Sequence, residues 1–247
     1  KENSPIANRR FDEVDLWPDG LTLWSLGEDL LRRRLRGRST GAWRDHQRLL
    51  GGLPPGALGE AVLDEVEAEV DLIVDRAGLM LPVPTETRTI EAVVGGTVVR
   101  TEVPDGSDQL PHLRFVRWHP SLQLAPWLHL AVATLAEPDI DWTAVVASRG
   151  PTRGKDPAVT HLRLITDGGD RRTAATLILE NALDLDRRAR SDAIPFFRRY
   201  SWSLLSGQSA STVKDDLARD VRDRWTNWIH GDLTVTDLES DADADHP

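Results

Sequence analysis

The sequence predicts an α/β fold, a central mixed sheet with helices on both sides. Three observations predict it. Apolar residues recur at helical spacing from Leu23 to Ala77, the period changes to two between Thr87 and Val103, and a stretch with apolar residues on every side, 122–135, separates those strands from two more.

Taken in order, Lys1 to Gly20 is an irregular lead-in with Pro5, Pro18 and an Asp19-Gly20 turn. Leu23, Leu26, Leu30, Leu31 and Leu35 define a first helix that stops at Gly37, and a second runs from near Trp43 to the Gly51-Gly52 pair. The turn Leu-Pro-Pro-Gly-Ala-Leu-Gly-Glu at 53–60 feeds a long helix. Its apolar stripe is Leu63, Val66, Val70, Ile73 and Ala77; Glu60, Asp64, Glu65, Glu67, Glu69, Asp71 and Asp75 cover the rest. Thr87–Val94 and Thr97–Val103 flank Gly95-Gly96, the two-residue signal of a β-hairpin. His112–Trp118 reads as a third antiparallel strand, and Leu122–Leu135, apolar on every side, as a helix sandwiched in the core. Trp142–Ser148 and Val159–Ile165 read as strands; Arg171–Arg188 and Thr212–Ile229 as amphipathic helices. The expected division is a lead-in over 1–20, one domain over 21–230, and an acidic, disordered tail over 231–247.

Composition narrows the chemistry. With 247 residues, 40 % hydrophobic and 28 % charged, the chain can bury a sizeable core. Zero cysteines exclude disulfides, thiolate zinc sites and a cysteine nucleophile. No run reaches the roughly 20 apolar residues of a membrane helix, and no signal peptide opens the chain, so the expected compartment is the cytoplasm. The first residue is Lys1 and the only methionine is Met80, which reads as a piece of a longer polypeptide. The seven histidines are scattered, with none three or four residues from another. No Walker loop, H-E-x-x-H, G-x-S-x-G or G-x-G-x-x-G is present. The acidic helix reads as a solvated face. Neither a metal nor a cofactor is expected.

The basic residues say more. Arg32, Arg33, Arg34, Arg36 and Arg38 crowd the end of the first helix, and Arg44 and Arg48 follow on the second. Arginine favours a helix C-terminus on dipole grounds, but seven in 17 positions exceed what capping needs. Against a net charge of −10 they form a local positive patch, suited to a phosphate backbone or an acidic protein surface. Among the nine tryptophans, Trp24, Trp127 and Trp142 fall on apolar faces and read as core. Trp17, Trp43, Trp118, Trp225 and Trp228 neighbour charges and are candidate interface anchors.

Four segments carry a resemblance. They are Trp43-Arg44-Asp45-His46-Gln47-Arg48-Leu49-Leu50-Gly51-Gly52 running into LPPGALGE, and Leu113-Arg114-Phe115-Val116-Arg117-Trp118-His119-Pro120-Ser121-Leu122 ahead of the helix with Trp127. Ala193-Ile194-Pro195-Phe196-Phe197 with Ser201-Trp202, and a helix ending Trp225-Thr226-Asn227-Trp228, complete the ordered set. Together, over roughly residues 11 to 230, the chain resembles the C-terminal domain of RecC, the gamma subunit of exodeoxyribonuclease V. The resemblance implies a PD-(D/E)xK nuclease-like fold (restriction-endonuclease-like) that has lost its catalytic residues. Such nucleases hold Mg²⁺ with an aspartate on one strand and an acid on the next, two residues before a lysine. Here the first strand reads Gly96-Thr97-Val98-Val99-Arg100 and the second Leu113-Arg114-Phe115-Val116-Arg117. The lysines are Lys1, Lys155 and Lys214; Arg153 and Thr212 stand two residues before the latter two, so no acid-x-lysine triplet exists.

The expectation is therefore a non-catalytic, DNA-handling domain in a RecBCD-like complex for double-strand-break repair by recombination. Its implied partners are RecB-like and RecD-like subunits and a double-stranded DNA end or fork, with no membrane. Arg114 and Arg117 join the seven arginines as candidate DNA or partner contacts, at the place of the lost metal ligands. The alternative is a protein-interaction scaffold that docks subunits without touching DNA.

Overall fold

A computed structural model describes residues 17–79, 83–84, 86–152, 154–164, 170–191, 201 and 209–222. The lead-in before Trp17, the 193–197 segment, Trp202, Trp225, Trp228 and the 231–247 tail lie outside the described residues.

Helix α1 (Gly20–Leu35) begins where the Asp19 carboxylate accepts the Thr22 amide at 2.8 Å, and α2 (Thr40–Leu50) begins at Ser39. Helix α3 (Ala57–Ala77) buries all five residues of its expected stripe, together with Val62 and Val74. Strands β1 (Thr87–Val94) and β2 (Thr97–Pro104) pair antiparallel from Thr87↔Pro104 to Val94↔Thr97, as the Gly95-Gly96 turn predicts. After β3 (Gln109–Arg117) come a 3-10 turn over Pro120–Gln123 and helix α4 (Leu124–Ala136). Strands β4 (Thr143–Arg149) and β5 (Ala158–Leu162) follow, then helices α5 (Arg171–Ser191) and α6 (Ala210–Val221).

Two compact units divide at Ala175/Thr176, with α5 running across the division. In the first unit the β3-β4-β5 sheet is mixed: β3 and β4 run parallel, β4 and β5 antiparallel. Side-chain alternation along its strands sorts residues to two faces. Leu113, Phe115, Val145 and Ala147 pack on one face with α1, α2 and α3, around Leu30, Trp43, Leu63, Val66 and Ile73. Leu110 and Ala144 face Leu130 and Ala133 of α4, with Ile90, Val103 and Trp142 completing that cluster. The mixed α/β architecture with helices on both sides of the sheet is as the sequence predicts. Contact between α1 and β3 is unusually close: a Cβ on Gly27 would stand 2.0 Å from the Phe115 ring. Any larger residue at position 27 pushes helix and strand apart.

Three expectations need correction. The third strand is not antiparallel to the hairpin: β1-β2 is a separate two-stranded sheet and β3 pairs parallel with β4. The physical reason is the connection, because a strand–helix–strand passage through α4 returns the chain in the same direction. Second, α4 is not buried on every side. Residues Leu130 to Thr134 are buried, whereas Leu124 and Trp127 in its first turn are exposed, Trp127 at 38 %. An apolar sequence removes the periodicity that would mark the exposed end. Third, Trp43 is no surface anchor: it is fully buried, and its Nε1 donates to Asp29 at 3.0 Å. Indole packs as a large hydrophobe once its single N–H finds an acceptor. Trp142 is core as expected, Trp24 is half-buried, and Trp17 packs half-buried against the α1–α3 cluster.

Candidate nucleic-acid interface

Helix α1 ends with Arg32, Arg33 and Arg34 in its last turn and Arg36 as its C-cap. The chain then turns so that the Arg38 amide donates back to the Arg33 carbonyl at 3.0 Å. Five of the candidate arginines are thereby gathered at one helix end, where the dipole favours cations. Their side chains go different ways. Arg33 reaches Asp29 at 3.3 Å, one turn back, and Arg34 reaches Asp71 of α3 at 2.7 Å. Arg32, Arg36 and Arg38 are exposed, with no side-chain partner among the described residues.

On α2, Arg44 donates to Glu60 and Asp64, both at 2.8 Å, and to Glu67 at 2.9 Å. Arg48 binds the same Glu60 at 2.8 Å and Asp45 at 2.6 Å. Hydrogen bonds from Arg48 and then Arg44 pull the Glu60 carboxyl down to about 2, and the Arg44 guanidinium is raised chiefly by its bonds to Glu60 and Asp64. This corrects the sequence reading twice. The acidic face of α3 is not simply solvated, because it is the counter-surface of α2. The seven arginines are not one free patch, since Arg33, Arg34, Arg44 and Arg48 have carboxylate partners. The signal was present: Arg44 and Arg48 repeat at i, i+4, and Glu60, Asp64 and Glu67 at i, i+4, i+7, on helices joined by a short turn.

Strand β3 carries the last two candidates. The Arg114 Nε donates to Glu28 of α1 at 2.7 Å, and the other oxygen of Glu28 accepts the Phe115 amide at 2.8 Å. Glu28 thus ties α1 to the strand, a role that spacing alone did not reveal. Arg117 is exposed and has no side-chain partner among the described residues. Its register partner Arg149 bonds Glu69 of α3 at 2.9 Å and lies 4.7 Å over the Phe115 ring. Trp118 is half-buried, its amide donating to the Arg149 carbonyl at 2.9 Å.

Val99 stands on β2 and Arg114–Arg117 on β3, in different sheets. Among the described residues no group of three or more histidines or carboxylates is arranged to hold a metal ion. Two histidines that the sequence scatters do meet: the rings of His112 on β3 and His129 on α4 lie 5.1 Å apart. Burial, with His129 nearby, pushes His112 down to about 4, and burial lowers His129 as well. No described helix is long and apolar enough to cross a membrane.

Comparison with known proteins bears on this arrangement. The family described as RecC C-terminal domain matches residues 9–209. The RecBCD enzyme subunit RecC of Mycolicibacterium smegmatis is 27 % identical over 146 residues, 58 % of this chain. That match spans 13 % of the relative's own length. The family match contains α1 to α5 and every candidate arginine, and on it the chain belongs to the RecC C-terminal domain family.

Proposed function

We propose that this domain is a non-catalytic, DNA-handling part of a RecBCD-like helicase–nuclease acting in recombinational repair in the cytoplasm. RecB-like and RecD-like subunits and a DNA end or fork would be its partners. The observation that carries the reading is the division among the arginines. Arg32, Arg36, Arg38 and Arg117 are exposed and have no carboxylate partner among the described residues, in a chain of net charge −10. A guanidinium left free in an acidic protein is suited to phosphate oxygens. The family membership supports the complex, and the missing acid-x-lysine triplet supports a domain without nuclease chemistry.

The test is anisotropy with forked DNA across a salt series. DNA contact predicts binding that weakens as salt rises; binding indifferent to salt, or none, counts against it. In the assembled complex, charge reversal at Arg32, Arg36 and Arg38 should leave assembly intact and impair unwinding. Loss of assembly instead would support the scaffold reading, which has its own observation. Leu50, 63 % exposed at the end of α2, lines a groove with Leu26, Leu53 and exposed Leu21, and the neighbouring Leu49 is 86 % exposed. Degradation of linear DNA with Mg²⁺ or Mn²⁺, abolished by replacing one acid of α3, would overturn the non-catalytic assignment.

A further inference from the structure

A second site stands apart from the arginines. His112 lies on β3, on the strand that also sends Leu110 into the α4-side cluster, and His129 lies on α4 beside buried Leu130. Their ring centres are 5.1 Å apart and the planes are inclined at 46°. His129 is exposed and His112 half-buried, so solvent reaches the pair. Neither imidazole makes a hydrogen bond or ion pair to any described residue. A tilted pair of this kind is not explained as a hydrogen-bonded structural contact.

The spacing suits a shared ion. Two imidazole nitrogens on one tetrahedral ion, each at about 2.0–2.1 Å, place the ring centres about 5 Å apart. Imidazole is a ligand for borderline ions such as Zn²⁺, Cu²⁺ and Ni²⁺ and a poor one for Mg²⁺ or Ca²⁺. Both side chains start from regular elements, so little ordering is needed to bring them together. We propose that His112 and His129 form a two-histidine site for a borderline divalent cation, clipping strand β3 to helix α4. Among the described residues no third protein ligand joins them. The ion's remaining positions go to water, which makes the site open and exchangeable.

Zn²⁺ is the probe, titrated by calorimetry into the 247-residue chain after treatment with chelator. The expected result is one ion per chain, no response to Mg²⁺, and a melting temperature that rises with Zn²⁺. His129→Gln, at an exposed position, should weaken Zn²⁺ at least about tenfold, since loss of even an outer partner of a metal site costs that much. A readout that needs no variant is the histidine ring resonances: substoichiometric Cu²⁺ should broaden two of the seven ahead of the others. Absence of Zn²⁺ binding at about 1 mM, a free-energy floor of about 4 kcal/mol, would overturn the site. So would affinity unchanged in His129→Gln, or Cu²⁺ broadening spread evenly over all seven histidines, which marks an adventitious ion only.

Discussion

The arginines of the α2–α3 seam and those around the end of α1 are the same residue in two physical situations. Arg44 and Arg48 share Glu60 and reach Asp64, Glu67 and Asp45, so their charge is neutralised within the protein. A few residues upstream, Arg32, Arg36 and Arg38 face solvent with no described partner. The difference is geometric: α3 lays an acidic row along α2, and nothing equivalent is described opposite the exposed side of α1. Counting arginines therefore overstates a binding surface. What matters is which guanidiniums keep their field after folding.

The comparison breaks most severely in the seam's core. Trp43 is fully buried beneath the α1–α2 junction, and its indole holds Asp29, the carboxylate that also pairs with Arg33. Trp43→Ala should destabilise the fold by about 3–5 kcal/mol, read from the urea midpoint, by emptying a large core volume. Any DNA affinity it loses should follow the fraction unfolded. Next in size is the free set. Arg32→Gln, Arg36→Gln and Arg38→Gln together should lower the slope of log affinity against log salt by about 3 if each meets a phosphate. Their combined effect on stability should stay within about 0.5 kcal/mol per site, as for surface positions without partners. An unchanged slope would place these arginines against protein or water instead of DNA.

These expectations also show what the sequence makes legible. Stripes such as Leu63, Val66, Val70 and Ile73 specify α3 because burial and periodicity coincide, and Gly95-Gly96 specifies the hairpin register. Strand partners are different, since β3 joins β4 across 25 intervening residues and no local pattern says so. Trp43 misled because its neighbours in sequence, Arg44 and Asp45, are charged, while its neighbours in space are the apolar stripe of α3. At the site, residue type and density mark the arginine cluster but not which of its members pair on folding. Glu28 and the His112–His129 pair were invisible for the same reason: each is a meeting of one helix with β3.

A smaller effect sharpens the paired side. Arg44→Met keeps the aliphatic stem and removes three charge-assisted bonds, two of them to solvent-exposed carboxylates, which should cost no more than about 1 kcal/mol. DNA binding per folded molecule should not fall, because that charge was already neutralised. A fall in affinity with an unchanged fold would show that the seam's field reaches the DNA after all.

The smallest effect is in the pH dependence of that same substitution. The Glu60 carboxyl sits near 2 in the folded protein because Arg48 and Arg44 donate to its ionised form, against 4.5 for the group on its own. A carboxyl depressed by folding contributes stability that is fully present above its unfolded value and is lost as pH falls through its folded value. The difference in melting temperature between the wild type and Arg44→Met should therefore be constant above about pH 5 and shrink between about pH 4.5 and 2. Arg32→Gln supplies the control on the unpaired side, where no described carboxylate is engaged and the difference from wild type should not vary over that interval. A gap that fails to narrow for Arg44→Met would mean that the arginine stabilises by packing its stem and not by holding Glu60 ionised, and the contrast between the two regions would then be one of burial, not of charge.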